Sequence, residues 1–160
     1  METQNYIDSC LKDMDSFFFG GNGWQAGLYQ LVSDINSEQA SWKPSDERNS
    51  IWKILMHINF WKYNIFAFTS GNDLSTEERQ IGDWRNIPVN PTEELWQEEL
   101  KLTKDTHEKL KALIVRSGSE IFNIENDDSN YIRENLNHDS YHAGQIGLLR
   151  VLQGIKPINY

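Results

Sequence analysis

The chain has 160 residues, of which 24 are Asp or Glu and 15 are Lys or Arg, so its formal net charge is −9. This balance argues against a nucleic-acid partner and against an anionic membrane surface, because both need clustered basic side chains. The length predicts one domain over residues 1–160 that is large enough to bury a core.

The first residues contain neither a basic start nor an apolar run, so we expect no signal peptide. No segment reaches the ~18 uncharged apolar residues that a membrane span requires. The single cysteine, Cys10, cannot form an internal disulfide, which favours a cytoplasmic location. Because no His or Arg lies near Cys10 in the sequence, we interpret it as a small packing residue and not as a nucleophile.

The first 19 residues predict an extra helical segment, either a separate short helix or the start of a broken one, which ends at the glycine-rich breaker 20–23. A helix is then predicted from about Trp24 to Ile35, where apolar residues recur at helical spacing. Pro44 marks the loop that follows this helix.

The most apolar helix is predicted from Ser50, as its N-cap, to Ser70, with Gly71 as its stop. Apolar residues cover nearly every side of this segment, which is typical of a central helix. His57 lies in its middle.

The connection from Asn72 to Pro91 has about 20 residues, whereas helix connections in bundles usually have about 2–8. A link of this length can carry the chain back along a bundle, so the helices on either side are expected to run parallel. The link contains Asp83-Trp84-Arg85, and long loops in compact domains are often functional lids.

The next helix is predicted after Asn90-Pro91 with Thr92 as its N-cap. Its acidic residues come early and its basic residues late, which complements the helix dipole. We expect His107 on this helix to be a solvated surface residue, because Asp105 and Glu108 flank it. The predicted inward stripe consists of Leu95, Leu102, Thr106, Leu110 and Leu113.

Residues 120–124 predict an isolated extended segment, and residues 126–129 predict a turn with an N-cap. The last helix is predicted from Asn130 to Gln153, with its stop at Gly154. Its core-facing stripe steps by three or four residues through Tyr131, Asn135, His138, His142, Gln145, Leu149 and Leu152.

His138 and His142 are the strongest chemical signal in the chain. Two residues four apart on a helix lie on one face, one turn apart, so both imidazoles can bind one divalent metal. His57 is the candidate third ligand, since it lies on another core helix. The alternative is that all three are hydrogen-bonded core histidines, and the residues alone leave both interpretations open.

A helical His-Glu-x-x-His motif marks zinc proteases, in which the Glu is the general base. Here Asp139 follows His138 and is one methylene shorter, which argues against a protease. Because Asp139 is adjacent to His138, we expect it to point away from the metal face, towards the surface or the surroundings of the ligands.

The stretch from His138 to Arg150, HDSYHAGQIGLLR, resembles the last-helix motif of the DinB/YfiT-like superfamily. The stretch from Ser50 to Asn59 resembles the second-helix motif of that family, and residues 24–44 resemble its first helix and the loop after it. The resemblance implies an all-α fold, a four-helix bundle with a long crossover between the second and third helices. It also implies a divalent metal, nickel or zinc, bound by His57, His138 and His142 with open positions for water.

The resemblance implies a metal-dependent enzyme that acts on a small-molecule substrate or thiol, as a hydrolase or a low-molecular-weight-thiol S-transferase. The alternative is a non-catalytic metal-binding protein with a stress-response or interaction role. Relatives are often dimers, so a homodimer is expected. No general base is identifiable. Candidate pocket-lining residues are Trp61, Trp84, Tyr141 and Asn135, with plain core packing as the alternative for the two tryptophans.

Overall fold

The computed structural model describes residues 2–118 and 127–158. Within these residues the secondary structure is entirely helical, as the sequence predicts, and contains no strand. Its seven helices are α1 (Glu2–Phe19), α2 (Leu28–Ser33), α3 (Ser37–Ser41), α4 (Ile51–Thr69), α5 (Thr76–Gly82), α6 (Glu93–Ser117) and α7 (Asp127–Leu152).

The predicted helix ends are confirmed where a side chain or a glycine defines them. The Ser50 hydroxyl accepts a hydrogen bond from the Lys53 amide at 3.2 Å, and the Thr92 hydroxyl accepts one from the Leu95 amide at 3.4 Å. Each hydroxyl satisfies an amide that has no partner inside its helix. Gly71 and Gly154 follow α4 and α7 in the left-handed region, at φ values of 74° and 70°.

The segment 24–35 differs from the prediction of one continuous helix. Only Leu28–Ser33 is helical, and Trp24 lies in the preceding irregular segment with 87% of its surface exposed. The long N-terminal helix is α1 itself, which spans 18 residues. Cys10 on α1 packs against apolar neighbours, and burial raises the pKa of its thiol.

Side-chain contacts define the relative directions of the long helices. Trp52 contacts Trp96 with ring centroids 5.2 Å apart, and further along both helices Asn59 donates to Thr103 Oγ1 at 2.8 Å. Helices α4 and α6 therefore run parallel, as the length of the link predicts. Against α7 the contacts run in the opposite direction, because His57 contacts His142 and the later Phe68 contacts the earlier Tyr131. Helices α4 and α7 are therefore antiparallel.

Two hydrophobic clusters form the core. The larger cluster joins α2 and α3 to the first half of α4, the start of α6 and the second half of α7, and it includes the buried Trp52 and Trp96. The smaller cluster joins α1 to the later turns of α4 and α6 and to the start of α7, and it includes Met14 and Leu110. Four residues that the sequence predicts to face the core are instead exposed, namely Leu95, Leu102, Tyr131 and Leu152.

A layer of buried polar side chains lies between the two clusters. On α4, α6 and α7 it interrupts the apolar surface at the same level of the bundle, and its members are His57, Asn59, Lys62, Glu99, Thr103, His107, Asn135, Asp139 and His142. Burying polar groups is costly unless they are hydrogen-bonded or otherwise paired. The position of this layer therefore indicates where the molecule places its chemistry.

The predicted extended segment 120–124 lies outside the described residues. The predicted turn at 126–129 is helical where it is described, because α7 begins at Asp127. None of the described helices is long and apolar enough to cross a membrane.

Candidate metal centre

Two histidines of the polar layer, His57 and His142, lie together with the half-buried His138. His138 Nε2 lies 3.0 Å from His57 Nε2 and 3.1 Å from His142 Nε2. One nitrogen from each ring lies within 4.8 Å of the other two. Two metal–nitrogen bonds of ~2.1 Å can span up to ~4.2 Å, so nitrogens at these two separations can bind one cation.

The surroundings of two of these histidines leave their Nε2 lone pairs available. His57 Nδ1 donates to Asp83 Oδ1 at 2.5 Å, and His142 Nδ1 donates to Gln145 Oε1 at 2.7 Å. With hydrogen on Nδ1, each neutral ring presents an unprotonated Nε2 to the centre of the cluster. Converging lone pairs repel one another unless a cation or a proton lies between them, so the donor set fits a divalent metal.

Burial keeps the three imidazoles neutral near pH 7. Burial lowers the pKa of His57 and of His142, although Asp83 and Gln145 act in the opposite direction. Burial, together with the neighbouring histidines, lowers the pKa of His138 to about 4. Neutral imidazole is the form that binds a metal, so little protonation opposes binding.

Two residues of the link contact His57: Asp83, to which the sequence assigns no role, and Trp84, which it predicts as a pocket-lining residue. Asp83 also accepts a hydrogen bond from Trp61 Nε1 at 3.3 Å. Trp84 stacks on the His57 ring, with centroids 3.8 Å apart and planes 13° apart. The signals in the sequence were a carboxylate and a large aromatic side by side in a long link, but their partner on α4 was not predictable.

The backbone supports this arrangement of the link in two ways. Gly82 ends α5 against Phe60, where a Cβ would lie 2.1 Å from the ring, so a larger residue would force the Phe60 side chain to move. Trp84 has φ 50° and is the non-glycine residue of the described chain that lies in the left-handed region. Backbone strain of this kind persists where the surrounding structure enforces it, and it is frequent at functional sites.

Asp139 is buried, so of its two predicted places the surface is wrong, and the surroundings of the clustered histidines remain. Its carboxylate lies 2.7 Å from Lys62 Nζ, and both side chains are almost fully enclosed. The sequence could not decide between the two places, because it does not show that Lys62 of α4 lies opposite Asp139. A carboxylate neutralised in this way is not available as a protease-type general base, which agrees with rejection of that motif.

His107 is also buried, so its prediction as a solvated residue is wrong. Only 2% of it is exposed, because Phe18 of α1 stacks on its ring at 3.9 Å. His107 Nε2 lies 3.0 Å from Asp15 Oδ1, which also binds Lys111. The misprediction arose because the contact between α1 and α6 could not be inferred from charges flanking His107.

An open groove of about 590 Å³ borders the histidine cluster. Among the three histidines His142 lines this groove, and Trp84 and Tyr141 line it as predicted for pocket residues. Trp61 instead contacts Asp83, and Asn135 is buried inside the bundle. The arrangement can therefore hold a cation on one side and admit a small molecule from the other.

Comparison with known families gives one result. A model of the DinB superfamily matches residues 24–146, well over half of the chain. No curated protein matches the chain, and no solved structure matches it. The matched span includes all three clustered histidines and the link that carries Asp83 and Trp84.

Proposed function

Because the chain belongs to the DinB superfamily, we propose that it is a divalent-metal-dependent enzyme whose ligands are His57, His138 and His142. The observation that carries this proposal is the convergence of three Nε2 atoms beside an open groove. A structural zinc site normally has four protein ligands, whereas three ligands with an open side are typical of a catalytic site. Nickel and zinc are the candidate metals.

The surrounding side chains orient the ligands and limit access of water. Asp83 and Gln145 hold the His57 and His142 rings with Nε2 towards the centre. Hydrogen bonds of this kind raise ligand basicity and fix the tautomer. Trp84 covers one face of His57, so solvent and substrate reach the centre from the side of His142.

Thiol S-transfer fits the groove better than hydrolysis does. A divalent cation held by the three histidines would supply Lewis acidity and would lower the pKa of a coordinating thiol, so that the thiol proton passes to solvent water without a protein base. Among the described residues that line the groove none is a carboxylate. A hydrolase would need a proton donor for its leaving group, and the described groove offers only Tyr141 besides the proposed ligand.

The proposal is tested by loading the protein with nickel or zinc and supplying a small thiol with 1-chloro-2,4-dinitrobenzene. We expect a thioether to form and chloride to leave faster than in buffer containing the same metal. His138→Ala should abolish the acceleration. His107→Gln should retain it, because it changes a buried histidine outside the cluster.

Two results would redirect the proposal. Hydrolysis of a p-nitrophenyl ester without any thiol transfer would favour the hydrolase. Stoichiometric metal binding with neither activity, across a broad set of thiols and esters, would favour the non-catalytic metal-binding protein with a stress-response or interaction role.

We also propose a homodimer and a cytoplasmic location. Trp24 is 87% exposed and Val151 is 63% exposed, and both line a cavity of about 370 Å³ beside α7. Large exposed apolar side chains of this kind are frequent anchors of interfaces. Light scattering should give twice the monomer mass of 18.7 kDa. The cytoplasmic proposal is supported by the single cysteine, which has no partner for a disulfide within the chain.

A further inference from the structure

The groove beside His142 has two different walls. One wall comes from α7 and α4 and is largely apolar, with Ile54, Leu148 and Leu149 among its members. The other wall comes from the loop between α3 and α4 and is polar, with Ser45, Arg48 and Asn49. Trp84 adds a flat aromatic surface next to the histidine cluster. A ligand that fills this groove therefore meets an apolar surface and a polar edge at once.

The charge of the groove is opposite to that of the whole molecule. The chain carries nine more acidic than basic side chains, yet Arg48 is the only charged side chain among the described residues that line the groove. Elsewhere in the described part of the chain, no Asp or Glu side chain forms a salt bridge with Arg48. Its backbone amide is held by the Ser45 carbonyl at 3.1 Å, which fixes the local turn. The guanidinium is thus available to a ligand.

We propose that the groove selects small organic anions with a flat apolar body, and that Arg48 pairs with the anionic group. This inference rests on the proposed function, because it takes the groove as the substrate side of the histidine centre. Guanidinium presents a planar fork of donors that matches a carboxylate, and it keeps its charge at any physiological pH. The apolar body lies against Trp84 and the leucines of α7. Arg48 is here a specificity-determining residue, away from the reacting atoms.

The cavity size agrees with an occupant of this class. Pockets for small molecules usually have volumes of about 300–1,000 Å³ and combine apolar walls with a few polar groups that orient the ligand. In an acidic molecule, a single basic side chain in the groove also discriminates against cations, because it repels them at close range. The two competing occupants are a neutral ligand, for which Arg48 is irrelevant, and a second copy of this chain covering the leucine wall.

The test compares three naphthalene probes of similar shape, namely 2-naphthoate, 2-naphthamide and protonated 2-naphthylmethylamine. Their affinities are measured by titration calorimetry at low salt, with the zinc-loaded protein and with the metal-free protein. We expect naphthoate to bind ~5-fold more tightly than naphthamide in either form, since an exposed charge-assisted pair contributes modestly. The amine should bind most weakly.

Variants of the loop assign the selectivity to one residue. Arg48→Gln should bring the naphthoate-to-naphthamide ratio close to one and leave naphthamide affinity unchanged. Arg48→Lys should retain part of the ratio, and raising the salt concentration should reduce it in the wild type. Lys43→Gln is the matched control, because Lys43 is an exposed cation of the same loop that does not line the groove.

Each outcome distinguishes this inference from the proposed function. If Arg48→Gln keeps the full ratio, or if naphthamide binds as well as naphthoate to the wild type, anion selection by Arg48 is wrong. Probe affinity that falls as protein concentration rises would show that a second copy covers the groove, which also overturns the inference. A protein that binds no metal but shows the Arg48-dependent ratio would overturn the metal-enzyme proposal alone.

Discussion

At the scale of single residues, the histidine cluster depends on side chains that do not belong to it. Asp83 holds one ring and Gln145 holds another, and each leaves Nε2 directed at the same point. His138 Nδ1 is buried without a hydrogen-bond partner among the described residues. The position of the His138 ring is therefore determined by packing and by the partner that its Nε2 atom binds.

Removing Asp83 should weaken metal binding without removing a ligand. Asp83→Ala takes away the acceptor for His57 Nδ1, so the ring loses its fixed tautomer and orientation. We expect metal affinity to fall by ~10-fold, which is the lower end for partners of ligating histidines. Equilibrium dialysis against nickel or zinc measures this change. Asp73→Ala is the control from the same link, because Asp73 pairs with Arg79 away from the cluster. Equal losses of metal affinity in the two variants would contradict the role given to Asp83.

His107 provides a prediction on pH that does not involve the cluster. Burial lowers its pKa to about 4, against the partial effect of Asp15, and Lys62 and Lys111 lower it further. Between pH 6.5 and 4 the unfolded chain therefore binds a proton at this residue that the folded chain does not. The free energy of unfolding should fall with decreasing pH in this window, by up to about 1.4 kcal/mol per pH unit from this histidine.

The variant His107→Gln isolates this contribution. It should be less stable than the wild type at pH 7, because the stack with Phe18 and the hydrogen bond with Asp15 are altered. Its stability should then decline less steeply from pH 6.5 to pH 4. Urea unfolding across this range measures both slopes, and identical slopes in the two proteins would show that His107 is not buried in its neutral form.

At the scale of helices, the sequence predicts most elements because their signals are local. The N-caps Ser50 and Thr92, the stops Gly71 and Gly154 and the apolar run of α4 each act within one or two turns. The positions of His138 and His142 on one face follow from helix geometry alone. The length of the link correctly predicts that α4 and α6 run parallel.

The errors concern contacts between helices, which no local signal carries. His107 looks solvated in sequence because its neighbours are charged, yet Phe18 of α1 covers its ring. The place of Asp139 was open in sequence, and Lys62 of α4 pairs with it inside the protein. The helix predicted from Trp24 to Ile35 begins only at Leu28, although its apolar spacing extends further. Asp83 could not be paired with His57 in advance, since the pairing depends on the path of a 20-residue link.

Arg150 shows how one residue of the last helix fixes a distant segment. It is 2% exposed, and its guanidinium donates to both oxygens of Asp34 and to the Leu31 carbonyl at 2.8 Å. These bonds connect α7 with the end of α2. The sequence places Arg150 at the end of the family motif but does not reveal this partner.

Replacing Arg150 should destabilise the fold while sparing the cluster. We expect Arg150→Ala to lower the free energy of unfolding by ~2 kcal/mol, because several charge-assisted hydrogen bonds are lost and the Leu31 carbonyl loses a partner. Arg116→Ala, an exposed arginine near the end of α6, should change it by less than ~0.5 kcal/mol. Chemical denaturation measures both values. If Arg150→Ala lowers the free energy of metal binding by more than it lowers the free energy of unfolding, Arg150 would belong to the metal site instead.

At the scale of the whole molecule, the histidine cluster lies at the level of the polar layer between two hydrophobic clusters. Helices α4 and α7 contribute the three histidines at this level, and the link closes over them from outside. Apolar packing on both sides fixes the helices, so the positions of the three histidines do not depend on a metal. A ligand that binds only the folded state stabilises it by mass action, so added metal should raise the melting temperature.

We propose that His57, His138 and His142 form one metal site. This claim is tested most directly by measuring nickel and zinc affinity of the wild type, His138→Ala and His107→Gln, with circular dichroism to verify helix content. We predict about one equivalent of metal in the wild type and in His107→Gln, and at least a ~10-fold loss of affinity in His138→Ala with its helical spectrum retained. Metal binding by His138→Ala as tight as that of the wild type would contradict the claim.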